Sequence, residues 1–373
     1  MHTIQNVFDR ELWVSLPPWF WTSTLFVFGC MVGSFLNVCI YRMPIGLSIV
    51  SPPSHCPKCG YSIPWYLNMP LITWLWLRGR CAHCKAGISV RYFLVELLTG
   101  IAFAACWLRV GQEFPSVALS LCVLIAGFIV ATFIDFDHFI IPDEITLGGI
   151  GVGIALSLLV PELHHTESHV SGLIRSAVGA AVGWGITYAV LQAGKLAFGK
   201  QKVPLEPNTK VLFTETGVHI QGEETPFEEI FSRPSDEIRL RAHTAWMPGS
   251  GQRWEDVEVR LSPSRLKIGT DEFDPEKITE LAMTCDALVL PREAMGFGDV
   301  KFMGAIGAFL GWQGAVFSLL ASSVIGAVLG LSLIIARKKE WSSKLPYGPY
   351  IAAAATLWIF VGDALLAWWQ ARL

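Results

Sequence analysis

Pro115-Ser-Val-Ala-Leu-Ser-Leu-Cys-Val-Leu-Ile-Ala-Gly-Phe-Ile-Val-Ala-Thr-Phe-Ile134 runs straight into Asp135-Phe-Asp137-His-Phe-Ile-Ile141-Pro142-Asp143. The first part carries no charge and, coiled as a helix, is about the ~30 Å needed to cross a hydrocarbon layer. It ends on a carboxylate. A charge held near hydrocarbon costs roughly 2.5 kcal/mol or more, so such a residue faces an interior cavity and carries function. A second case is Gly296-Phe-Gly298-Asp299-Val-Lys301, at the head of another apolar run. Two carboxylates on helices that can meet form a pair sharing one proton, the machinery of acid–base peptide hydrolysis.

The rest of the chain agrees with a membrane setting. It is 52% hydrophobic and 16% charged, with a mean hydropathy of +0.47; a soluble domain carries about 25% charged residues. The net charge of -3 gives no reason to expect a nucleic-acid partner. Met1 to Leu16 carries charges before any apolar core, unlike a cleaved secretory signal. Apolar runs predict about eight spans: Trp19–Tyr41, Tyr92–Val110, Pro115–Ile134, Ile145–Val160, Gly172–Phe198, Val300–Trp312, Ala315–Ala336 and Tyr350–Trp369. The sixth is short for a crossing. The fourth and fifth are rich in Gly and Ala, which suits close helix packing. Trp19, Trp21, Trp107, Trp312, Trp341, Trp368 and Trp369 flank these runs as an interfacial belt would. Basic residues collect in Arg42–Arg91 and in Arg337–Lys344, whereas Pro161–Ser171 has none. The positive-inside rule then puts the N-terminus outside and Asp135, Asp143 and Asp299 at cytoplasmic span ends.

Cys56-Pro-Lys-Cys59 and Cys81-Ala-His-Cys84 stand twenty-one residues apart. That spacing is close to a zinc ribbon's, and thiolates from two knuckles complete a tetrahedral shell. Gly60 and Ala82 are small enough for the tight turns. Disulfides are the competing reading, disfavoured on the reducing side of the membrane. A closed shell of four thiolates leaves no open position for water, so the expected role is structural. Cys30, Cys39, Cys106, Cys122 and Cys285 have no partner spacing and read as small apolar residues.

These stretches together resemble the type IV prepilin peptidase family. They are Gly33-Ser-Phe-Leu-Asn-Val-Cys-Ile-Tyr-Arg-Met-Pro44, Cys56-Pro-Lys-Cys59, Asn68-Met-Pro70, Trp74-Leu-Trp-Leu-Arg-Gly-Arg-Cys81 and Ile88-Ser-Val-Arg-Tyr92 with Glu96. They continue in Ile134-Asp135, Ile141-Pro142-Asp143 and Gly296-Phe-Gly-Asp-Val-Lys301. The resemblance implies an all-α polytopic protein of the bacterial cytoplasmic (inner) membrane. Its active site would lie at the cytoplasmic face and remove the basic leader of type IV prepilins or pseudopilins. It places the catalytic aspartates on Asp135 and Asp299 and the zinc thiolates on Cys56, Cys59, Cys81 and Cys84. It further implies methylation of the new N-terminus from S-adenosylmethionine, with Gly79 linked to that activity. Asp137 would point about 200° away from Asp135 on a helix and is the decoy. Asp143 is placed to cap the next helix. Gly296 and Gly298 would let a substrate strand approach Asp299. Lys301 either biases the acid pair or snorkels to the interface.

About ninety polar residues, Gly199 to Arg292, interrupt this pattern between the fifth span and Asp299. Val211–Ile220, Glu237–Arg241, Val257–Leu261 and Arg265–Ile268 alternate like strands, and Asp274–Leu281 reads as a short helix. The expected organisation is a first span (1–41), a cytoplasmic zinc loop (42–91), helices carrying the first aspartate (92–198), a soluble β-rich insert (199–292) and helices carrying the second (293–373). Two other functions compete. One is a GxGD protease with another substrate class; the other is a proton-coupled transporter using the two aspartates as a relay, which usually shows internal repeats that this chain lacks.

Overall fold

The computed structural model describes residues 13, 15–198, 200–220, 223–231, 236–291, 295–336 and 345–372. The basic link Arg337–Lys344, with Trp341, lies outside the described residues. Two compact units appear, Met1–Ala189 with Gly296–Leu373, and Val190–Met295.

The first unit is helical. Its long elements are α1 (Pro18–Arg42), α2 (Val90–Cys106), α3 (Pro115–His138), α4 (Asp143–Leu159), α5 (His169–Phe198), α6 (Phe297–Ile335) and α7 (Gly348–Gln370). Their starts follow from local chemistry. Pro18 and Pro115 occupy first-turn positions that have no hydrogen bond to lose. Ser89 caps α2 by accepting the Arg91 N–H at 3.2 Å. The core is apolar side chains from α1, α2, α3, α6 and α7.

Among the described residues, six helices are long and apolar enough to cross a membrane. The eight expected spans map onto these with two differences. The fourth, α4, has 17 residues. The sixth and seventh form one helical run, α6, broken at Gly311, where φ is 70° and ψ 178°. The break disturbs the helical ladder, and the surroundings fill it. The Ala308 carbonyl accepts from Ser176 Oγ at 2.8 Å and lies 3.2 Å from His164 Nε2. Irregular backbone in an apolar medium needs such partners. The glycines of α5 do serve close packing: a Cβ on Gly179 would lie 2.1 Å from the Gly307 oxygen of α6.

One belt residue is reassigned. Trp107 is 1% exposed. It lies in a π-helical turn, Trp107–Gly111, and packs against Trp13 and Trp21 at ring centroid distances of 5.6 and 5.8 Å. Trp107 stands four residues after buried Phe103 and seven after buried Gly100, so it continues the inward face of α2.

The second unit is built on one antiparallel sheet of eight strands, ordered β3-β2-β1-β8-β4-β5-β6-β7. They are β1 (Lys200–Thr214), β2 (Gly217–Ile220), β3 (Glu223–Pro226), β4 (Ile238–Met247), β5 (Gln252–Ser262), β6 (Arg265–Ile268), β7 (Asp271–Phe273) and β8 (Glu280–Pro291). The first and last strands are direct neighbours, pairing from Lys200↔Pro291 to Thr214↔Glu280 with a bulge between Pro204 and Thr209. Alternate residues such as Ile238, Leu240 and Ala242 fill one core. The exposed face is laced with ion pairs, for example Arg241 with Asp256 at 2.8 Å, each worth little by itself.

Two expectations for this region change. Val211–Ile220 is a hairpin rather than one strand, turning at Glu215-Thr216 so that Phe213 faces Val218. Asp274–Leu281 is not an α-helix. Only a 3₁₀ turn forms, over Pro275–Lys277, because Glu280 onward is drawn into the central strand β8.

Candidate active site

Asp135 lies in the last turn of α3, which runs one turn beyond the apolar stretch to His138. It is 5% exposed. Its Oδ2 accepts the N–H of Gly348, the first residue of α7, at 2.8 Å. Phe139 then adopts a left-handed conformation, with φ 55°, and ends the helix. Asp299 sits at the third position of α6 and is 8% exposed. Its Oδ2 reaches back to the Gly296 N–H at 3.2 Å, as the third residue of a capped helix does.

The two carboxylates interact electrostatically. Ile141 joins their surroundings. A Cβ on Gly298 would sit 3.5 Å from the Ile141 Cβ, and one on Gly348 would sit 3.0 Å from its Cδ1. Among the described residues no further protein group hydrogen-bonds either carboxylate. Each therefore keeps one oxygen for a water or a substrate atom. A Cβ on Gly298 would make only ordinary contact with the Ile141 backbone at 3.6 Å, whereas one on Gly296 would crowd Asp299 Oδ2 at 3.3 Å.

The other charged candidates are drawn elsewhere. Asp137 is exposed and pairs with Arg91 at 2.5 Å. Asp143 is the first residue of α4 and not its cap, which is Pro142. Proline has no side-chain acceptor, so no side chain caps this helix, and the Asp143 carboxylate takes Lys301 Nζ at 2.5 Å instead. Lys301 also lies 5.3 Å from the Phe297 ring centre. It thus engages Asp143 rather than the acid pair.

The four cysteines converge. Their sulfurs all lie within 4.8 Å of one another, with Cys56 and Cys84 at 3.9 Å, and none is in a disulfide. Tetrahedral Zn–S bonds of about 2.3 Å require S···S separations near 3.8 Å, so the set is compatible with a structural zinc site. The two knuckles are built alike. Cys56 N–H bonds to Tyr61 O and Cys81 N–H to Ala86 O, at 2.9 and 2.8 Å. Each turns on a left-handed residue, Gly60 (φ 69°) and Lys85 (φ 60°), so Lys85 and not Ala82 marks the second turn. Backbone N–H groups of Lys58 and Cys59 push the Cys56 pKa down to about 6, while burial and the neighbouring sulfurs push that of Cys59 up to about 12, as thiols sharing one site do. The His83 ring stacks on Tyr61 with centres 5.2 Å apart.

Sequence reasoning gave no role to the side chains that tie this loop down. Buried Arg42 donates to Ser48 O and Pro52 O at 2.9 and 2.8 Å. Glu96 Oε2 accepts the Leu71 N–H at 2.8 Å, and Asn37 Nδ2 donates to Tyr92 O at 3.1 Å. The one available signal was polarity within apolar runs. Gly79 is buried with φ 65°, and a Cβ there would meet Trp74 Cζ2 at 2.8 Å. It shapes the turn before Cys81.

An apolar helical bundle holding a buried aspartate pair and a four-thiol knuckle is the class of protein that this geometry defines. The sequence profile of the Bacterial Peptidase A24 N-terminal domain matches residues 27–110. That of the Type IV leader peptidase family matches 122–203 and 278–331, passing over most of the sheet. The chain belongs to the type IV leader peptidase family. It is similar to a prepilin leader peptidase/N-methyltransferase of Aeromonas hydrophila, 28% identical over 94% of both chains. One from Myxococcus xanthus is 49% identical over 38% of this chain and 43% of its own length. One from Pseudomonas aeruginosa is 25% identical over 90% and 89%. No solved structure matches the chain.

Proposed function

We propose that the protein removes the leader from type IV prepilins or pseudopilins at the cytoplasmic face of the bacterial inner membrane. We infer that it also methylates the new N-terminus. One observation carries the reading: in a chain of this family, Asp135 and Asp299 are both buried, interact, and each keep one oxygen unbonded by protein.

The chemistry follows from that arrangement. Two close carboxylates work with one proton between them. The ionised member takes a proton from a water held between the free oxygens. The protonated member donates to the scissile carbonyl oxygen, so charge never accumulates on the tetrahedral carbon's oxygen. Backbone N–H groups fix both acids, so neither has to reorient during the step. S-adenosylmethionine would supply the methyl group. The reading takes α4 and both halves of α6 as crossings, which leaves both aspartates at the same face.

Incubation of the purified protein with a prepilin tests the proposal. Leader removal is expected, and an intact precursor beside a well-folded enzyme would end it.

Zinc is the proposed occupant of the four thiolates, held to keep the loop in one shape. One zinc per chain is expected from metal analysis. Finding no metal, with all four thiols open to alkylation in the native protein, would remove zinc from the account. Replacing one cysteine is expected to loosen the loop more than it alters acid–base chemistry.

The sheet is proposed to be peripheral to catalysis. Exchange of residues 202–289 for a short Gly/Ser linker is expected to leave leader cleavage largely intact, since Lys200 and Pro291 are strand partners about 5 Å apart. Loop-closure cost changes slowly with length. A deletion variant that folds and binds zinc yet cannot cleave would show that the sheet recruits substrate or shapes the site.

A further inference from the structure

The loop between α1 and α2 carries an apolar surface that neither zinc binding nor peptide cleavage uses. Trp65 is 82% exposed and Trp76 77%. The one-turn helix Ile72–Trp76 shows how the surface is presented. Thr73 is buried and Trp74 packs on Phe93 at 5.3 Å, while Ile72, Leu75 and Trp76, spaced i, i+3 and i+4, are exposed on one face. A surface of this kind on a soluble segment needs a partner.

We propose that this face lies on an anionic lipid surface, with Trp65, Leu75 and Trp76 entering the boundary between headgroups and acyl chains. Charge selects the partner. From Met43 to Ser89 the loop contains no Asp or Glu. Its four Lys and Arg side chains (Lys58, Arg78, Arg80 and Lys85) are all exposed. Exposed aromatics joined to unopposed cations bind anionic bilayers through buried apolar area and attraction to phosphate. The same charge argues against a basic leader peptide as the occupant. It also argues against a second copy, because a two-fold contact sets each patch against itself.

Continuity with the bundle supports the same partner. The loop leaves α1 at Arg42 and enters α2 at Val90, and both helices can cross a membrane. Their outer faces expose Phe35, Tyr41, Leu94 and Leu98. Lipid-facing surface therefore borders the loop on both sides. The inference rests on the membrane placement proposed above. The zinc loop then acts as a float whose height is set by lipid.

The test uses the full chain in nanodiscs of phosphatidylglycerol, with a photo-crosslinking amino acid in place of Trp65, Trp76 or, as a control, Trp246 of the sheet. Lipid adducts at 65 and 76 are expected at least about fivefold above those at 246, falling severalfold in phosphatidylcholine discs. With Arg78 and Arg80 changed to Gln, and zinc content unchanged, the phosphatidylglycerol signal is expected to fall at least about twofold toward the phosphatidylcholine level. Adducts at 65 and 76 no higher than at 246, or crosslinks to protein or to an added basic leader peptide in place of lipid, overturn the proposal. A signal indifferent to both lipid charge and the Gln changes overturns the assignment of anionic lipid. Leader cleavage in the same discs reads the peptidase proposal separately.

Discussion

Asp135→Asn and Asp299→Asn are each expected to abolish leader cleavage, a loss of at least about 10³-fold, while membrane insertion and zinc content stay unchanged. Asparagine keeps the shape of aspartate. Its side-chain oxygen can still accept the N–H of Gly348 or Gly296, so the anchors seen at 2.8 and 3.2 Å survive the change. What disappears is the exchangeable proton. With one amide and one acid, no single arrangement both deprotonates water and protonates the carbonyl oxygen. Asp137→Asn is the internal control. That carboxylate faces outward to Arg91, and its loss is expected to leave most activity in place. An active Asp135→Asn beside a dead Asp137→Asn would show that the first acid has been misassigned.

Gly348→Val is expected to cost about 10²-fold in kcat, with a smaller effect on the KM for a prepilin. Gly348 meets Asp135 twice, through its N–H and through the space its missing side chain leaves. A Cβ there would lie 2.8 Å from Asp135 Oδ2 and 3.0 Å from Ile141 Cδ1. Both neighbours are buried, so the strain has to be relieved by moving the carboxylate or the start of α7. A shift of about 1 Å is enough for a loss of this size. Cleavage kinetics in detergent, with zinc content as the check on folding, would measure it. Full activity in Gly348→Val would mean that Asp135 does not depend on this contact in the working enzyme.

The acids and the thiols were legible in the sequence because their signals are local. A carboxylate ending an uncharged run of twenty residues, or two CxxC pairs, is visible without knowing the fold. Gly348 was not legible, because its partner lies 213 positions away and nothing beside it marks the contact. Arg42, Glu96 and Asn37 were visible only as polar residues in apolar surroundings; their acceptors and donors are backbone atoms, which have no sequence signature. Trp107 was misplaced because its position at a span end was weighed ahead of its helical phase, four residues after buried Phe103. The strands of the sheet were found where alternation is regular, as in Arg265–Ile268. The segment after Asp274 was misread because pairing with β1 outweighs its helical propensity. The reading of α6 as two spans anticipated a break, though not the Ser157, His164 and Ser176 side chains gathered around it.

Lys200 and Pro291 face each other across neighbouring strands. The chain thus enters and leaves the sheet through one doorway. Whatever is strung through it can grow, shrink or be exchanged by one in-frame event without the bundle having to be solved again. For the engineer the same two residues form a ready-made port, fitted to a reporter or ligand-gated domain with adjoining termini.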